Sequence, residues 1–178
     1  MIDITFDTSC YDKESKKLFD ELRNLQKQGK IKMWHEGYSE IETERWISPN
    51  NSDVKELFRT HSDRKIEAFH IPVSIAEDMP KVSKYFDEQL GYTSKELNDA
   101  HTIIDDILHP EGFGGKTAIN KYIDGKILAK HIVRKRNYFV TKDKGFIKND
   151  RKEKLEKQFP GLKIRLLNKD LIEELSRD

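Results

Sequence analysis

Cysteine is nearly absent from this chain. Cys10 is the only one among 178 residues, so no intrachain disulfide can form and nothing points to an oxidising compartment. Long apolar runs are missing too: none approaches the ~18 residues of a membrane span. Asp3 and Asp7 interrupt the apolar residues of the N-terminus, which does not read as a signal peptide. The expectation is a cytoplasmic protein with no membrane partner. Zinc spacing is lacking as well, because the six His residues have no Cys partners. His35-Glu36 opens a zincin-like match that fails at Ser39, where the second His is required. Cys10 has no His base near it in sequence and reads as filler rather than nucleophile.

Apolar residues make up only 35% of the chain and the mean hydropathy is −0.81, but a net charge of +1 removes the second condition for disorder. The length suits one domain, or one domain carrying an insertion. Near-neutrality hides an asymmetry. Residues 1–110 hold 15 Lys and Arg against 22 Asp and Glu, whereas residues 111–178 hold 18 against 10. A basic second part attracts polyanions, although Lys-rich helices also carry such charge simply as solvated surface.

The most informative stretch is Tyr138-Phe139-Val140-Thr141-Lys142-Asp143-Lys144-Gly145-Phe146, a strand that ends abruptly in a hydroxyl and a carboxylate. The first residues repeat the arrangement: Ile2–Phe6 alternates as a strand and Asp7-Thr8-Ser9 follows it. Ligand sites of open α/β sheets lie outside the carboxyl ends of the strands, so the two acids meet if these strands are parallel neighbours. Between them the pattern predicts a helix within 12–28 capped by Gly29, a strand at 31–35, a short helix at 38–47, and turn chemistry at 48–53 that leads to a helix at 54–59. Residues 48–115 read as an inserted helical segment, with a strand-like run at 66–72 and helices at 79–90 and 94–108. Alternation then resumes: a helix within 116–135, strands at 138–141 and 162–167, and helices near 151–158 and 170–176. Such alternation argues for a mostly parallel sheet.

Two further acids have their own arguments. Glu42 lies with Tyr38 and Trp46 on the apolar stripe of its helix, while Glu40 points away; pairing with Arg45 is the plainer reading. Asp124 precedes Gly125 and opens the run Lys126–Ile132, where an N-cap role is the plainer reading. Glu40 stands as the alternate to Glu42, and Asp105 or Asp106 as the alternate to Asp124. Pro110–Thr117 contains Gly115-Lys116-Thr117 but has Pro where a P-loop needs its first Gly.

Taken in order, Asp7-Thr8-Ser9, Glu42, Asp124 and the run Phe139–Phe146 resemble the PIN domain family of metal-dependent ribonucleases, over residues 1–47 and 116–175. The resemblance implies a single PIN-like domain over 1–178, a three-layer α/β/α fold around a mostly parallel sheet with the helical insertion added. It implies hydrolysis of single-stranded RNA with Mg²⁺ or Mn²⁺ held by Asp7, Glu42, Asp124 and Asp143. This agrees with the physics of converging carboxylates, which need cations to stay ionised and select hard ones. Thr8 and Thr141 would bond a metal-bound water or a phosphate oxygen, and Lys126, Lys130, His131, Lys142 and Lys144 would hold the RNA backbone. Further implied partners are an antitoxin protein, if the chain is the toxin of a toxin–antitoxin pair, and a second copy in a homodimer. The rival expectations are a non-catalytic RNA-binding module of the same fold and a P-loop-like nucleotide-binding protein.

Overall fold

The computed structural model describes residues 1–36, 94–112, 118–148 and 150–177. The predicted helix at 38–47 that carries Glu40 and Glu42, most of the predicted insertion and the Gly-Lys-Thr of the near P-loop lie outside the described residues.

Within them, β1 (Ile2–Phe6) leads through two short 3-10 turns to α1 (Lys16–Lys27), then β2 (Ile31–Trp34). The second described segment forms α2 (Lys95–Leu108). After it come α3 (Ala118–Val133), β3 (Tyr138–Thr141), α4 (Arg151–Gln158), β4 (Lys163–Leu166) and α5 (Lys169–Arg177). The four strands form one all-parallel sheet in the order β2-β1-β3-β4. The chain is thus an α/β protein with five α-helices among the described residues. Each helix and strand expected within those residues forms, with boundaries shifted by a few residues at most.

Local chemistry sets these elements. Asp12 Oδ1 accepts the backbone N–H and the hydroxyl of Ser15, both at 2.8 Å, and so braces the entry to α1. Gly29 ends that unit in the left-handed region, at φ +74. Ser94 caps α2 by accepting the Leu97 N–H. Period-2 alternation in β1 sends Ile4 and Phe6 to one face of the sheet, where they pack with Phe19 and Leu22 of α1 and Leu171 and Leu175 of α5. Phe139 and Ile164 point to the other face, into a cluster with Leu97, Ile104, Ile127 and Leu155. Helices therefore cover both faces, and the central strand β3 is buried throughout, as a parallel sheet requires.

Two expectations change. Helix α2, the part of the predicted insertion that is described, is built into the main core through Leu97, Ala100, Ile104 and Leu108. Asp124 does not open a helix: it lies within α3, which begins at Ala118. Gly125 is a close-approach position rather than a break. A Cβ there would stand 2.7 Å from Asp105 Oδ1 and 2.8 Å from His101 Nε2. The His101 ring is held by the Tyr122 carbonyl at 3.2 Å, so it cannot yield freely. Ala at 125 would recover about 1 kcal/mol of helix propensity and blur the result. Val adds bulk with little such gain, and Gly125→Val is expected to lower unfolding stability by about 1–3 kcal/mol, measured by urea denaturation.

Candidate active site

Strand order places the two acids. Going from β1 to β2 the chain moves one way across the sheet, and from β3 to β4 the other. The reversal lies between β1 and β3, where a crevice opens at the carboxyl ends of a doubly wound sheet. Asp7 follows β1 and Asp143 follows β3, which are parallel neighbours with Phe6 opposite Val140. The two acids thus stand at one edge of the sheet, as the strand pattern requires.

Asp7 is buried and is braced by two hydroxyls. Its Oδ2 accepts Ser9 Oγ at 2.5 Å and Thr141 Oγ1 at 2.7 Å. With their protons committed to Asp7, both hydroxyls can accept backbone N–H groups. Thr141 Oγ1 accepts the Asp143 N–H at 2.9 Å, and Ser9 Oγ accepts the Lys142 N–H at 3.0 Å. This network ties the turn after β1 to the turn after β3. The other Asp7 oxygen, Oδ1, is buried with no hydrogen-bond partner, an arrangement that costs about 1–3 kcal/mol if nothing charged or protonic meets it.

Burial raises the Asp7 pKa above its ordinary value, and the negative charge of Asp143 adds to the rise; the hydrogen bonds from the Ser9 and Thr141 hydroxyls oppose it. A cation close to the carboxylate would lower its pKa and oppose both effects. Asp143 is exposed, and its Oδ1 accepts the Gly145 N–H at 2.7 Å as the cap of the 3-10 turn Lys144–Phe146. Its other oxygen has no hydrogen bond to a described residue. A buried carboxylate with one orphaned oxygen and an exposed carboxylate after the neighbouring strand are both hard donors, of the kind Mg²⁺ or Mn²⁺ takes. Among the described residues no group of three or more His, Cys, Asp or Glu side chains could share an ion, and Glu42 lies outside that set. Asp124, half-buried within α3, does not complete such a group among the described residues.

The remaining predicted site residues divide. Thr8 is buried with its Oγ1 unpartnered, so the hydroxyl that braces Asp7 after β1 is that of Ser9. Lys142 Nζ bonds Asp12 and lies 3.9 Å from Glu14; it clamps β3 to the start of α1. Lys144 is exposed at the edge that carries Asp143, free to meet a polyanion. Lys130 is half-buried on α3. Two expectations are corrected. Lys126 is 2% exposed, with Nζ donating to Asn98 Oδ1 at 3.0 Å and standing 5.3 Å above the Tyr122 ring, so it faces α2 rather than RNA. His131 is fully buried, edge-on to Phe139 with ring centroids 5.6 Å apart, and presents no surface to a phosphate backbone.

Fold and site together define a doubly wound α/β protein with a hydroxyl-braced pair of acids at the point where strand order reverses. No protein-family model matches the chain, and no curated protein or solved structure does either. Among the described residues no helix is long and apolar enough to cross a membrane.

Proposed function

We propose that the chain is a Mg²⁺- or Mn²⁺-dependent endoribonuclease of the PIN type that cleaves single-stranded RNA. The observation that carries this reading is the Asp7 carboxylate: buried, held by Ser9 and Thr141 through one oxygen, with the other left without a partner, at the same end of the sheet as Asp143. A carboxylate kept in that state is an unfavourable component of an inert core and a suitable ligand for a hard cation. Asp7 and Asp143 would hold the ion, with Glu42 as a further ligand directly or through water and Asp124 through water. The bound cation would polarise the phosphodiester and make an adjacent water acidic enough to attack it.

The chain's own residues supply orientation and charge. Thr141 and Ser9 fix the plane of the Asp7 carboxylate, and Asp143, free on its outer side, accepts a proton from the attacking water or orients it. Lys144 faces the solvent beside the acids and meets the phosphate backbone. The basic excess of residues 111–178 supports the same substrate class, since an anionic pocket needs cationic surroundings to admit RNA.

Purified protein is expected to cleave an unstructured, fluorescently labelled RNA with Mn²⁺ or Mg²⁺ and to lose this in EDTA, with recovery when metal is restored. Cleavage that survives chelation rejects the metal mechanism. Binding without cleavage under every metal condition points instead to a non-catalytic RNA-binding module.

A further inference from the structure

Cations flank the acids differently toward α1 and toward α4. Toward α1, Lys142 is bound by Asp12, with Glu14 at 3.9 Å. Toward α4, where the turn after β3 runs into that helix, Lys144 and Lys148 are exposed and Arg151 is half-buried. None of these three pairs with a carboxylate among the described residues. Arg151 is nevertheless fixed. Its Nη1 donates to the Gly145 carbonyl at 3.2 Å, while the Gly145 N–H donates to Asp143 Oδ1 at 2.7 Å, so a single residue separates the guanidinium from the acid. A guanidinium carries five N–H donors. One serves Gly145, and the others have no acceptor among the described residues.

Three helices bring charge to this side. His109, just past the end of α2, lies close enough to Lys121 of α3, Arg151 of α4 and Asp143 to feel the charge of each. Burial, then Lys121 and Arg151, push its pKa below the ordinary value, and Glu111 and Asp143 oppose the shift. The imidazole is therefore neutral at physiological pH, and the lasting positive charge belongs to Lys121, Arg151 and Lys144. Lys121 keeps 28% of its side chain exposed and stands 3.9 Å from Glu111, which is 63% exposed; solvent largely screens such a pair. Stability does not account for the cluster. Arg151 is the first residue of α4, where a positive charge opposes the helix dipole, and like charges gathered around one neutral ring repel each other.

Such a cluster suits an anion held beside the acids. Arg offers a planar fork that takes a phosphate through two N–H groups, and Lys adds point charge. We propose that Arg151, with Lys121 and Lys144 around it, holds the phosphate next to the scissile one, so that the RNA strand passes from the acids over the start of α4. Which phosphate is scissile rests on the ribonuclease reading; the hold of these cations on an RNA backbone does not. Contacts of this kind position a strand without reading its bases.

Fluorescence anisotropy of a labelled decauridylate RNA, titrated in EDTA at salt from about 50 to 200 mM, tests it. Arg151→Gln and Lys121→Gln should each weaken binding about fivefold at about 0.1 M salt. Each should also flatten the slope of log affinity against log salt by about 0.7, the share of one phosphate contact on a single strand. Arg151→Lys should keep the slope, because the charge remains, and Lys27→Gln, at the far end of α1, should match the wild type. Loss of stability alone would not move the slope, and Lys121, partly exposed, provides the measurement if Arg151→Gln fails to fold. Cleavage of the same RNA with Mn²⁺ should slow in both variants through a raised KM, with kcat retained. If no metal supports cleavage yet both slopes flatten, the ribonuclease reading fails and the backbone site stands. Cleavage with both slopes unchanged, or no saturable binding by the wild type, overturns the subsite.

Discussion

Asp7→Asn is expected to abolish metal-dependent RNA cleavage and, in EDTA, to melt higher than the wild type. The first effect follows if Asp7 is a ligand: an amide is a poor donor to Mg²⁺ or Mn²⁺, and losing a ligand and its charge together typically costs orders of magnitude in rate. The second follows from burial. Asp7 has a pKa raised by folding, so the folded state binds its proton more tightly than the unfolded chain does. Stability from this group is therefore full below the ordinary carboxylate pKa and is lost as pH rises through the raised value. Above the raised pKa the ionised side chain is a liability that the amide lacks. The side-chain oxygen of Asn can still accept from Ser9 and Thr141, with the NH₂ in the place of Oδ1, so the change removes the charge and keeps the bracing.

A divalent ion should reverse that ranking in a way activity assays cannot mimic. Mn²⁺ added to wild-type protein stabilises the folded state in proportion to its occupancy and should raise the melting temperature by several degrees, where about 1 kcal/mol corresponds to roughly 2–4 °C at this chain length. Asp7→Asn should show little of this shift. Differential scanning fluorimetry across pH 5–8, with EDTA or Mn²⁺, measures both effects. If Mn²⁺ stabilises the variant as much as the wild type, Asp7 is not a metal ligand and the proposed function loses its central residue.

Much of this site was legible in the sequence, for a specific reason. Period-2 alternation in Ile2–Phe6 and the apolar run Tyr138–Thr141 identify strands, and parallel neighbours put their carboxyl ends together, so the sequence pairs Asp7 and Asp143 on the one condition that the sheet meets. The misplacements share a different cause. Helix α3 is buried over much of its circumference, with Ile123, Ile127, Leu128 and Ala129 all enclosed, so its polar residues do not mark a solvent face. Lys126 and His131 look like surface cations in sequence and lie inside. Gly125 reads as a helix start because glycine usually interrupts one, whereas here it lets α3 approach His101 and Asp105. Thr8, expected to bond a metal-bound water or a phosphate oxygen, is instead buried with its hydroxyl unpartnered, and the 3-10 turn after β1 brings the Ser9 hydroxyl onto the Asp7 carboxylate. Nothing in the triplet Asp-Thr-Ser distinguishes these two outcomes by composition alone.

The hydroxyl pair carries the last prediction. Thr141→Val keeps the size and branching of a fully buried side chain while removing one proton donor to Asp7 and the acceptor for the Asp143 N–H. It therefore loosens both acids at once. Ser9→Ala removes the other donor to Asp7 and the acceptor for the Lys142 N–H. Outer partners of metal ligands typically contribute 10–100-fold to affinity or activity, and each single substitution is expected to reduce cleavage within about that range. Because both hydroxyls act on the same Asp7 oxygen and stand 3.1 Å apart, their effects should not add. The double variant is expected to lose less than the product of the two single losses, a coupling of about 0.5–3 kcal/mol. Metal affinity should move with rate, since the hydroxyls act through the ligand and not on the RNA. A double-mutant cycle on cleavage rate, run with Mn²⁺ titrations of all four proteins, separates the cases. Strict additivity with unchanged Mn²⁺ affinity would mean that Ser9 and Thr141 only hold two turns together, and that the bracing of Asp7 contributes nothing to its chemistry.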